Sequence, residues 1–290
     1  MFCYNLYGKH VATNIRLPLL SDITEYGKID LEVHVSFGAI AGDTISIKEA
    51  DNCYMINLAS LASYYVDSSK DIIICKARDF EAFFSTFFNI PFSVYCLCKN
   101  EVIYHACSLV YDDKVFCLAG NKGAGKSTVM QILTSSNDFG IFGDDTIHID
   151  CNSMSDGAHN LIKHTLQTVE ALKLKNLNIK NAAGKYYSSF DPYLVRAKIS
   201  KIFHIVRYDG KAFDSEPINN ILIKNNIYKT NIVGIDYMPH SLIAKAIKIK
   251  PDSNIEFYRL YIPNDLDYLI RESDKLKELI LNSFKMGKDL

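Results

Sequence analysis

The chain has 290 residues, of which 48% are hydrophobic and 22% are charged, and its formal net charge at pH 7 is −1. This composition is typical of a soluble globular protein of one or two domains. The absence of a basic excess argues against a nucleic-acid-binding protein. No apolar run approaches the roughly 18 residues of a membrane-spanning helix. The N-terminus MFCYNLYGKH also lacks the layout of a signal peptide. We therefore expect a cytoplasmic protein that binds neither nucleic acid nor membrane.

The eight cysteines are dispersed along the chain, and none of them forms a C-x-x-C pair. No second ligand pair stands at zinc-site spacing, so we expect reduced thiols. Cys96 and Cys98 are two positions apart, which predicts that they share one face of a strand. We interpret them as small buried hydrophobic residues rather than as metal ligands.

The first 95 residues carry no catalytic motif. Their hydrophobic patterns predict strands at 4–13, 31–37 and 72–76, with shorter ones at 45–47 and 55–58. A phenylalanine-rich segment at 79–90 predicts a helix capped by Asp79. We therefore expect a strand-rich lead domain over residues 1–95, followed by a core over residues 96–290. The role of the lead domain stays open: it recognises a substrate, or it only buries the core's outer face or mediates contacts within a homo-oligomer.

Two strand-like runs follow, at 101–110 and 114–119, and Asp112-Asp113 between them predicts a hairpin. His105 lies in the first of these strands, beside the strand that leads into the next motif. From spacing alone, a single histidine in a strand is more often a core or rim residue than a functional one.

Residues 120–128, GNKGAGKST, match the phosphate-loop pattern G-x-x-x-x-G-K-[ST]. The apolar run before the loop predicts a buried strand, and 126–136 has the periodicity of a helix. A strand, a glycine loop and a helix in this order direct backbone N–H groups and the positive end of the helix at one point. We therefore predict that a nucleotide is bound by Gly120, Asn121, Lys122, Gly123, Ala124, Gly125, Lys126, Ser127 and Thr128.

Individual residues of the loop have separate expected tasks. Gly123 and Gly125 let the backbone curl around an anion without a Cβ in the way. Lys126 would reach the β- and γ-phosphates, and the hydroxyl of Ser127 would hold Mg²⁺.

A second apolar run at 139–142 ends in Gly143-Asp144-Asp145. We expect the helix to return the chain to a parallel strand beside the first, which would bring both carboxylates to the edge of the phosphate loop. One carboxylate would orient the metal ion while the other accepts a proton from an attacking hydroxyl. The alternative is that the acidic pair only opens a turn.

The order of H-A-C-S at 105–108, the loop at 118–128 and F-G-D-D at 142–145 resembles the HPr kinase-like family of P-loop kinases. Within this family, which has a phosphoenolpyruvate-carboxykinase-like core, the chain looks closest to the peptide serine kinases of lasso-peptide biosynthetic clusters. The opening segment 4–20 is also similar to the start of the lead domain in that branch. The resemblance implies ATP and Mg²⁺. It also implies that His105 aids proton transfer, that Asp144 is the general base and that Asp145 supports the metal together with Ser127.

The chain departs from the family pattern at two places. Asn121-Lys122 stand where the family often has an acidic residue followed by serine. The E-x-R-G signature of the bifunctional HPr kinase/phosphorylases is absent, so neither phosphorylase activity nor HPr as substrate is implied.

Gly184-Lys185 resembles a turn of the peptide kinases in which the lysine faces the nucleotide; without the resemblance, Lys185 is typical of a surface lysine.

The last 140 residues carry fewer signals. We predict a helix at 161–176, strands at 199–206 and 257–262, and a C-terminal helix at 265–284 that is opened by Pro263-Asn264-Asp265. Residues 230–250 mix helical and strand signals.

Taken together, the sequence predicts an α/β fold, with a P-loop nucleotide-binding core on a mixed sheet and a small strand-rich N-terminal domain. The preferred function is Mg²⁺-ATP-dependent phosphorylation of a Ser or Thr hydroxyl on a peptide or small protein. Two alternatives stay open: a kinase of a small molecule such as free serine, and an ATP-binding regulator without catalysis.

Overall fold

The computed structural model describes residues 1–17, 20, 23, 27–51, 53–135, 138–156, 161–164, 166–171, 179–180, 186–190, 196–250 and 252–285. The predicted nucleotide-site residue Lys185 lies outside these residues. The strands are β1 (Phe2–Leu6), β2 (Lys9–Thr13), β3 (Leu31–Phe37), β4 (Ile45–Ala50), β5 (Cys53–Leu58), β6 (Ala62–Asp67), β7 (Ile72–Ala77), β8 (Val102–Tyr104), β9 (Ala106–Tyr111), β10 (Lys114–Ala119), β11 (Gly140–Gly143), β12 (Ile147–Ile149), β13 (Met154–Asp156), β14 (Leu161–His164), β15 (Ile179–Lys180), β16 (Tyr186–Ser189), β17 (Arg196–Tyr208), β18 (Asp214–Pro217) and β19 (Glu256–Pro263). The helices are α1 (Phe80–Phe87), α2 (Ile90–Cys98), α3 (Lys126–Thr134), α4 (Leu166–Ala171), α5 (Ile221–Thr230), α6 (His240–Lys248), α7 (Leu266–Arg271) and α8 (Ser273–Lys285), with a short 3₁₀ turn at Ile235–Tyr237.

The first seven strands form one mixed sheet in the order β1-β2-β3-β7-β6-β5-β4. The predicted strand at 31–37 is confirmed as β3, which lies between β2 and β7 and is parallel to both. The predicted strand at 4–13 is instead a hairpin, because Tyr7 and Gly8 adopt positive φ angles and reverse the chain. Strand β6 was not predicted from the sequence.

Two helices cover this sheet where one was predicted. Asp79 caps α1 as expected, accepting a hydrogen bond of 2.8 Å from the backbone N–H of Ala82. A second helix, α2, then begins at Ile90. The prediction of Cys96 and Cys98 on a strand is therefore wrong. Most of α2 is buried, so its residues are apolar on all faces and their pattern carries no period that separates helix from strand.

The predicted domain boundary between residues 95 and 96 falls inside α2. One cluster of buried apolar residues runs from the first sheet through α2 to β8 and β10. The division into a lead domain and a core stays a prediction, but the chain does not separate into two parts at that position.

The second sheet has the order β11-β9-β10-β17-β13-β12-β8, with β19 beside β17 and β18 beside β19. The hairpin predicted around Asp112-Asp113 joins β9 to β10, and both turn residues have positive φ angles. The parallel neighbour of β10 is β17. The expectation that the chain returns from α3 to a strand directly beside β10 is wrong, because β9 occupies that position and β11 pairs with β9.

The position of β11 still brings the acidic pair to the predicted edge. Strand β11 is antiparallel to β9, and β9 is antiparallel to β10, so β11 and β10 run in the same direction. Their C-terminal ends therefore lie at one edge of the sheet.

The later part of the chain departs most from the sequence patterns. The predicted helix at 161–176 is wrong over residues 161–164, which form β14 of a small sheet ordered β14-β16-β15. The helix α4 follows at Leu166–Ala171. The predicted strands at 199–206 and 257–262 are confirmed within β17 and β19. Asp265 caps α7 as predicted, but α7 ends at Arg271 and a separate helix α8 follows.

A second apolar cluster lies on the side of this sheet that carries α3 and α8. The rings of Phe203 and Phe284 pack edge-on against Phe116, with ring centroids 5.8 and 5.6 Å apart. Full burial of such a side chain contributes about 1.5–3 kcal/mol. This packing holds the strand that leads into the phosphate loop. No helix in the described part of the chain is long and apolar enough to cross a membrane.

Candidate active site

The glycine loop between β10 and α3 has the backbone that its sequence predicts. Gly120, Gly123 and Gly125 have φ angles of 145°, 85° and 90°, in the region that favours glycine. Gly125 is the cap residue of α3, so the helix begins at Lys126 and directs its positive end into the loop. The loop therefore has the form of an anion-binding cradle.

Lys126 is folded back over this cradle. Its Nζ donates hydrogen bonds to the carbonyl oxygens of Gly120 at 2.8 Å and Asn121 at 3.4 Å. Only 7% of the residue is exposed. The ammonium is thus held against the backbone of the loop.

Ser127 and Asp144 lie in contact, whereas the family resemblance implies Asp145 as the metal-supporting partner of Ser127. Ser127 Oγ donates a hydrogen bond of 3.0 Å to Asp144 Oδ1. Cys107 Sγ also donates to this oxygen at 2.9 Å, and the backbone N–H of Lys163 donates to Asp144 Oδ2 at 2.8 Å. Burial raises the pKa of Cys107 well above its ordinary value, so the thiol keeps the proton that it donates.

The carboxylate of Asp144 is fully buried. Both of its oxygens accept hydrogen bonds from the protein, and it does not line the cleft beside the loop. This position argues against the expected role of Asp144 as general base, because a base must reach the proton of the acceptor hydroxyl.

Asp145 has the opposite environment. Its backbone has a positive φ of 65°, and 27% of its side chain is exposed. Its Oδ2 lies 2.7 Å from the Nζ of Lys163, and its Oδ1 lies 3.8 Å from His105 Nδ1. Asp145 also lines the cleft beside the loop.

His105 stands at a break in the predicted strand, between β8 and β9. Its backbone N–H leaves the ladder and donates to the carbonyl of Asn231 at 2.7 Å. Burial lowers the pKa of His105, and the charge of Lys126 lowers it further, against the opposing effect of Asp145. The imidazole is therefore neutral near pH 7 and can accept a hydrogen bond or a proton.

Arg207 was not identified from the sequence. It is close to the C-terminal end of β17, the parallel neighbour of β10. Its Nε donates to the carbonyl of Ala124 at 2.8 Å, and Nη1 donates to that of Pro263 at 2.6 Å. The guanidinium packs so closely on Gly125 that a Cβ there would be 2.2 Å from Nη2. The available cue was a basic residue directly after the predicted strand at 199–206.

Asn231, also missed, fixes the start of the loop. It is buried, and its Oδ1 accepts a hydrogen bond of 3.2 Å from the backbone N–H of Gly120. Its Nδ2 donates to the carbonyl of Ile227 in α5 at 2.8 Å. Because its own carbonyl binds His105, one residue holds both the loop and the histidine. No local motif marks it.

These residues surround a cleft of about 640 Å³. Four of the lining side chains are basic, in addition to His105, whereas Asp145 is the acidic one among them. Thr128 faces Thr168 of α4, with the two hydroxyl oxygens 3.4 Å apart. The lining residues are Asn89, His105, Lys122, Gly123, Gly125, Lys126, Ser127, Thr128, Asp145, Lys163, Thr168, Arg207, Asn264 and Leu266.

The first sheet also reaches this site. The hydroxyl of Tyr7, in the β1–β2 turn, lies 2.7 Å from Thr146 Oγ1, one residue after Asp145. Asn89, at the start of α2, lines the cleft. Gly8 approaches Asp156 so closely that a Cβ at this position would be 2.5 Å from the carboxyl carbon.

The residues present fit a nucleoside triphosphate with a divalent cation. The loop suits a chain of phosphates, since nothing lies within 4 Å of the position that a Cβ of Gly123 would take, and Lys126 and Arg207 supply positive charge. A hydroxyl and a carboxylate oxygen meet beside it at Ser127 and Asp144, and hard oxygen donors are those that Mg²⁺ prefers.

Comparisons with known proteins add little to this geometry. No protein-family model matches the chain, and no curated protein sequence matches it. Among solved structures, the Hpr(Ser) kinase/phosphatase from Coxiella burnetii is 13% identical, with a TM-score of 0.32, over 64% of this chain and 98% of that one. A similarity this low establishes neither family membership nor function.

Proposed function

We propose that the protein is an ATP-dependent kinase that transfers the γ-phosphoryl group to a Ser or Thr hydroxyl of a peptide or small protein. One observation carries this proposal. Beside a phosphate loop, one carboxylate (Asp144) is buried against the hydroxyl of Ser127, and its sequence neighbour Asp145 is open to the cleft. Nucleotide binding alone needs only the buried carboxylate of Asp144. Transfer to a hydroxyl also needs a group that accepts a proton, and Asp145 would be that group.

The loop and its neighbours would bind the triphosphate. Backbone N–H groups of the loop, the ammonium of Lys126 and the guanidinium of Arg207 provide the positive surroundings. Ser127, supported by Asp144, would hold Mg²⁺, which when bound neutralises charge on the phosphates. The buried position of Asp144 suits this support, because its other hydrogen bonds fix the carboxylate in place.

Asp145 would then accept the proton of the attacking hydroxyl, with neutral His105 beside it. This exchanges the roles that the family resemblance implies for the two aspartates. Support comes from exposure: Asp145 lines the cleft, whereas Asp144 is fully buried. Transfer forms a bond from the acceptor oxygen to the γ-phosphorus and breaks the bond to ADP, which keeps the electron pair on its terminal oxygen.

A peptide acceptor is supported by two features of the N-terminal part of the chain: Tyr7, in the turn between β1 and β2, contacts Thr146 next to Asp145, and Asn89, which precedes α2, lines the cleft. Edge strands offer unpaired backbone groups to which a peptide can add. Within the described residues the edges of this sheet are β1 and β4, while β3 is central. An extended peptide would therefore add at one of these two edges and not at β3, and the test below examines β4.

The test compares acceptors. Phosphate transfer from γ-labelled ATP is measured to a library of short peptides that contain Ser or Thr, and to free serine. The charge reversal Lys48→Glu on the exposed edge strand β4 is compared with Lys76→Glu on the central strand β7.

A kinase of peptides labels peptides in preference to serine, and Lys48→Glu lowers the rate of peptide labelling more than Lys76→Glu. Equal use of serine would move the proposal to a small-molecule kinase. ATP binding without transfer to any acceptor would favour the regulator.

A further inference from the structure

Lys163 contacts both carboxylates of the site through two different groups. Its backbone N–H donates to Asp144 Oδ2 at 2.8 Å, and its side-chain Nζ donates to Asp145 Oδ2 at 2.7 Å. The residue belongs to β14 of the small sheet and lines the cleft. No motif marks it in the sequence, and the roles proposed above do not use its charge.

A second ammonium approaches the same region from the phosphate loop. Lys126 is held there by the carbonyls of Gly120 and Asn121. Both ammonium groups act on His105, whose pKa is lowered by burial, then by the charge of Lys126, and to a smaller extent by that of Lys163. Lys126 and Lys163 both line the cleft that Asp145 lines, and Lys163 contacts Asp145, so two cations border the space in which Asp145 would meet the acceptor hydroxyl.

This convergence matters because of where charge lies during transfer. As the bond to ADP breaks and the bond to the acceptor forms, negative charge is spread over the three remaining oxygens of the phosphoryl group. A fixed cation that contacts these oxygens more strongly in the transition state than in the ground state lowers the barrier. Lys126 approaches from the side of the loop, and Lys163 approaches from the side of the two aspartates.

We propose that Lys163 is a catalytic residue whose ammonium stabilises the phosphoryl group during transfer, while its backbone N–H keeps Asp144 against Ser127. This role rests on the kinase activity proposed above. Lys163 neither gains nor loses a proton during the transfer, because the proton of the acceptor hydroxyl passes to Asp145. Before transfer, the contact with Asp145 holds the ammonium at the site of reaction.

The two contacts can be separated by experiment, since a side-chain substitution leaves the backbone N–H in place. Lys163→Met removes the charge and keeps most of the length, and Lys163→Arg keeps the charge. Lys76→Met, on an exposed part of β7, is the matched control for loss of a strand lysine. The probe is ADP with Mg²⁺, with and without aluminium fluoride, which mimics the phosphoryl group in transfer and requires no acceptor. Affinities are measured by calorimetry.

We expect the wild-type protein and Lys76→Met to bind the fluoride complex more tightly than ADP. Lys163→Met should lose about 10²-fold in affinity for the fluoride complex and change little toward ADP, as expected for a group that acts in the transition state. Lys163→Arg should recover at least part of the loss. Equal affinity of Lys163→Met and wild type for the fluoride complex would overturn the role of Lys163 alone. The same conclusion follows if aluminium fluoride does not increase the affinity of the wild-type protein for ADP. Absence of ADP binding in the wild type would overturn the kinase proposal as well.

Discussion

Ser127 and Asp144 are 17 positions apart in the sequence, yet the hydroxyl of the serine donates a hydrogen bond of 3.0 Å to the carboxylate. The hydroxyl comes from the first turn of α3, and the carboxylate follows β11, two strands away from β10. Their contact identifies the two side chains that would hold a divalent cation, so the proposed cation site can be tested by substitution of Asp144.

Asp144→Asn should weaken the binding of Mg²⁺-ATP by about tenfold or more and change the binding of metal-free ATP much less. The reason is that a neutral carboxamide supports a dication poorly. Calorimetry with and without EDTA measures both affinities. Asp113→Asn, in the exposed hairpin turn, controls for the loss of one negative charge. Equal weakening with and without metal would argue against a metal-supporting Asp144.

Asp145→Asn should lower phosphoryl transfer by about 10²-fold or more, the usual scale for loss of a general base. Binding of Mg²⁺-ATP should remain, because Asp145 is not needed for the contact between Ser127 and Asp144. Transfer is followed with γ-labelled ATP and the best acceptor of the peptide library. If Asp145→Asn stays active while Asp144→Asn loses transfer with metal binding intact, the roles implied by the family resemblance are the right ones.

Lys126→Ala should lower ATP affinity by about 10²-fold, as expected for the loss of charged hydrogen bonds to phosphate. Its burial adds a second expectation. Removal of the ammonium leaves the carbonyls of Gly120 and Asn121 without this donor, so the melting temperature should also fall by a few degrees. Calorimetry and thermal unfolding measure the two effects. Unchanged affinity in a folded variant would refute the phosphate-loop assignment.

Gly125→Ala and Gly123→Ala form a matched pair. Both glycines have positive φ angles, so each substitution carries a backbone cost of about 1–2 kcal/mol. At Gly125 the new methyl group would also meet the guanidinium of Arg207 at 2.2 Å, whereas at Gly123 nothing lies within 4 Å. We expect Gly125→Ala to lose much more stability and ATP affinity than Gly123→Ala. Equal losses would show that the contact with Arg207 does not matter.

His148 links the first sheet to the core and should make stability depend on pH. It is buried between Glu101 and Asp156, and Lys9 of β2 pairs with the same Glu101. Burial lowers the pKa of His148, but its contacts with Asp156 and Glu101 outweigh this effect, and the pKa is raised.

A raised pKa in the folded state means that the stabilising contribution is complete below the unfolded value of about 6.5 and is lost as the pH rises through the folded value. The unfolding free energy of the wild type should therefore exceed that of His148→Gln most at about pH 6, and the difference should shrink at about pH 8.5. Urea unfolding at both pH values measures it. A difference that stays constant or grows with pH would contradict a charged His148 in the folded protein.

The parts of the site that lie close together in the sequence could be predicted. The glycines of the loop, Lys126 and Ser127 belong to one motif, because a strand, a turn and a helix must stand in a fixed order to direct N–H groups at phosphate. The hairpin at Asp112-Asp113 was predictable for a similar reason: a tight turn limits the residue types that it accepts.

The missed residues share a different property. Arg207, Asn231 and Lys163 reach the cleft from strands and loops far along the chain, and each acts through contacts that only the folded arrangement creates. Lys163 was also placed wrongly, in a predicted helix, since β14 is a short strand in a segment with helical periodicity. Strand order was missed at β11 because sequence alone does not show that β9 already occupies the place beside β10.

The closeness of Gly8 to Asp156 bears on how this protein can be recombined. A side chain at that position would force either the turn or the carboxylate of Asp156 to move, and a displaced turn would take the hydroxyl of Tyr7 away from Thr146. A chimera that takes its first sheet from another protein would therefore need a glycine in the β1–β2 turn to restore the neighbourhood of Asp145. The N-terminal sheet is in this respect not a freely exchangeable module, because its hairpin turn must fit against the edge of the second sheet that carries Asp145.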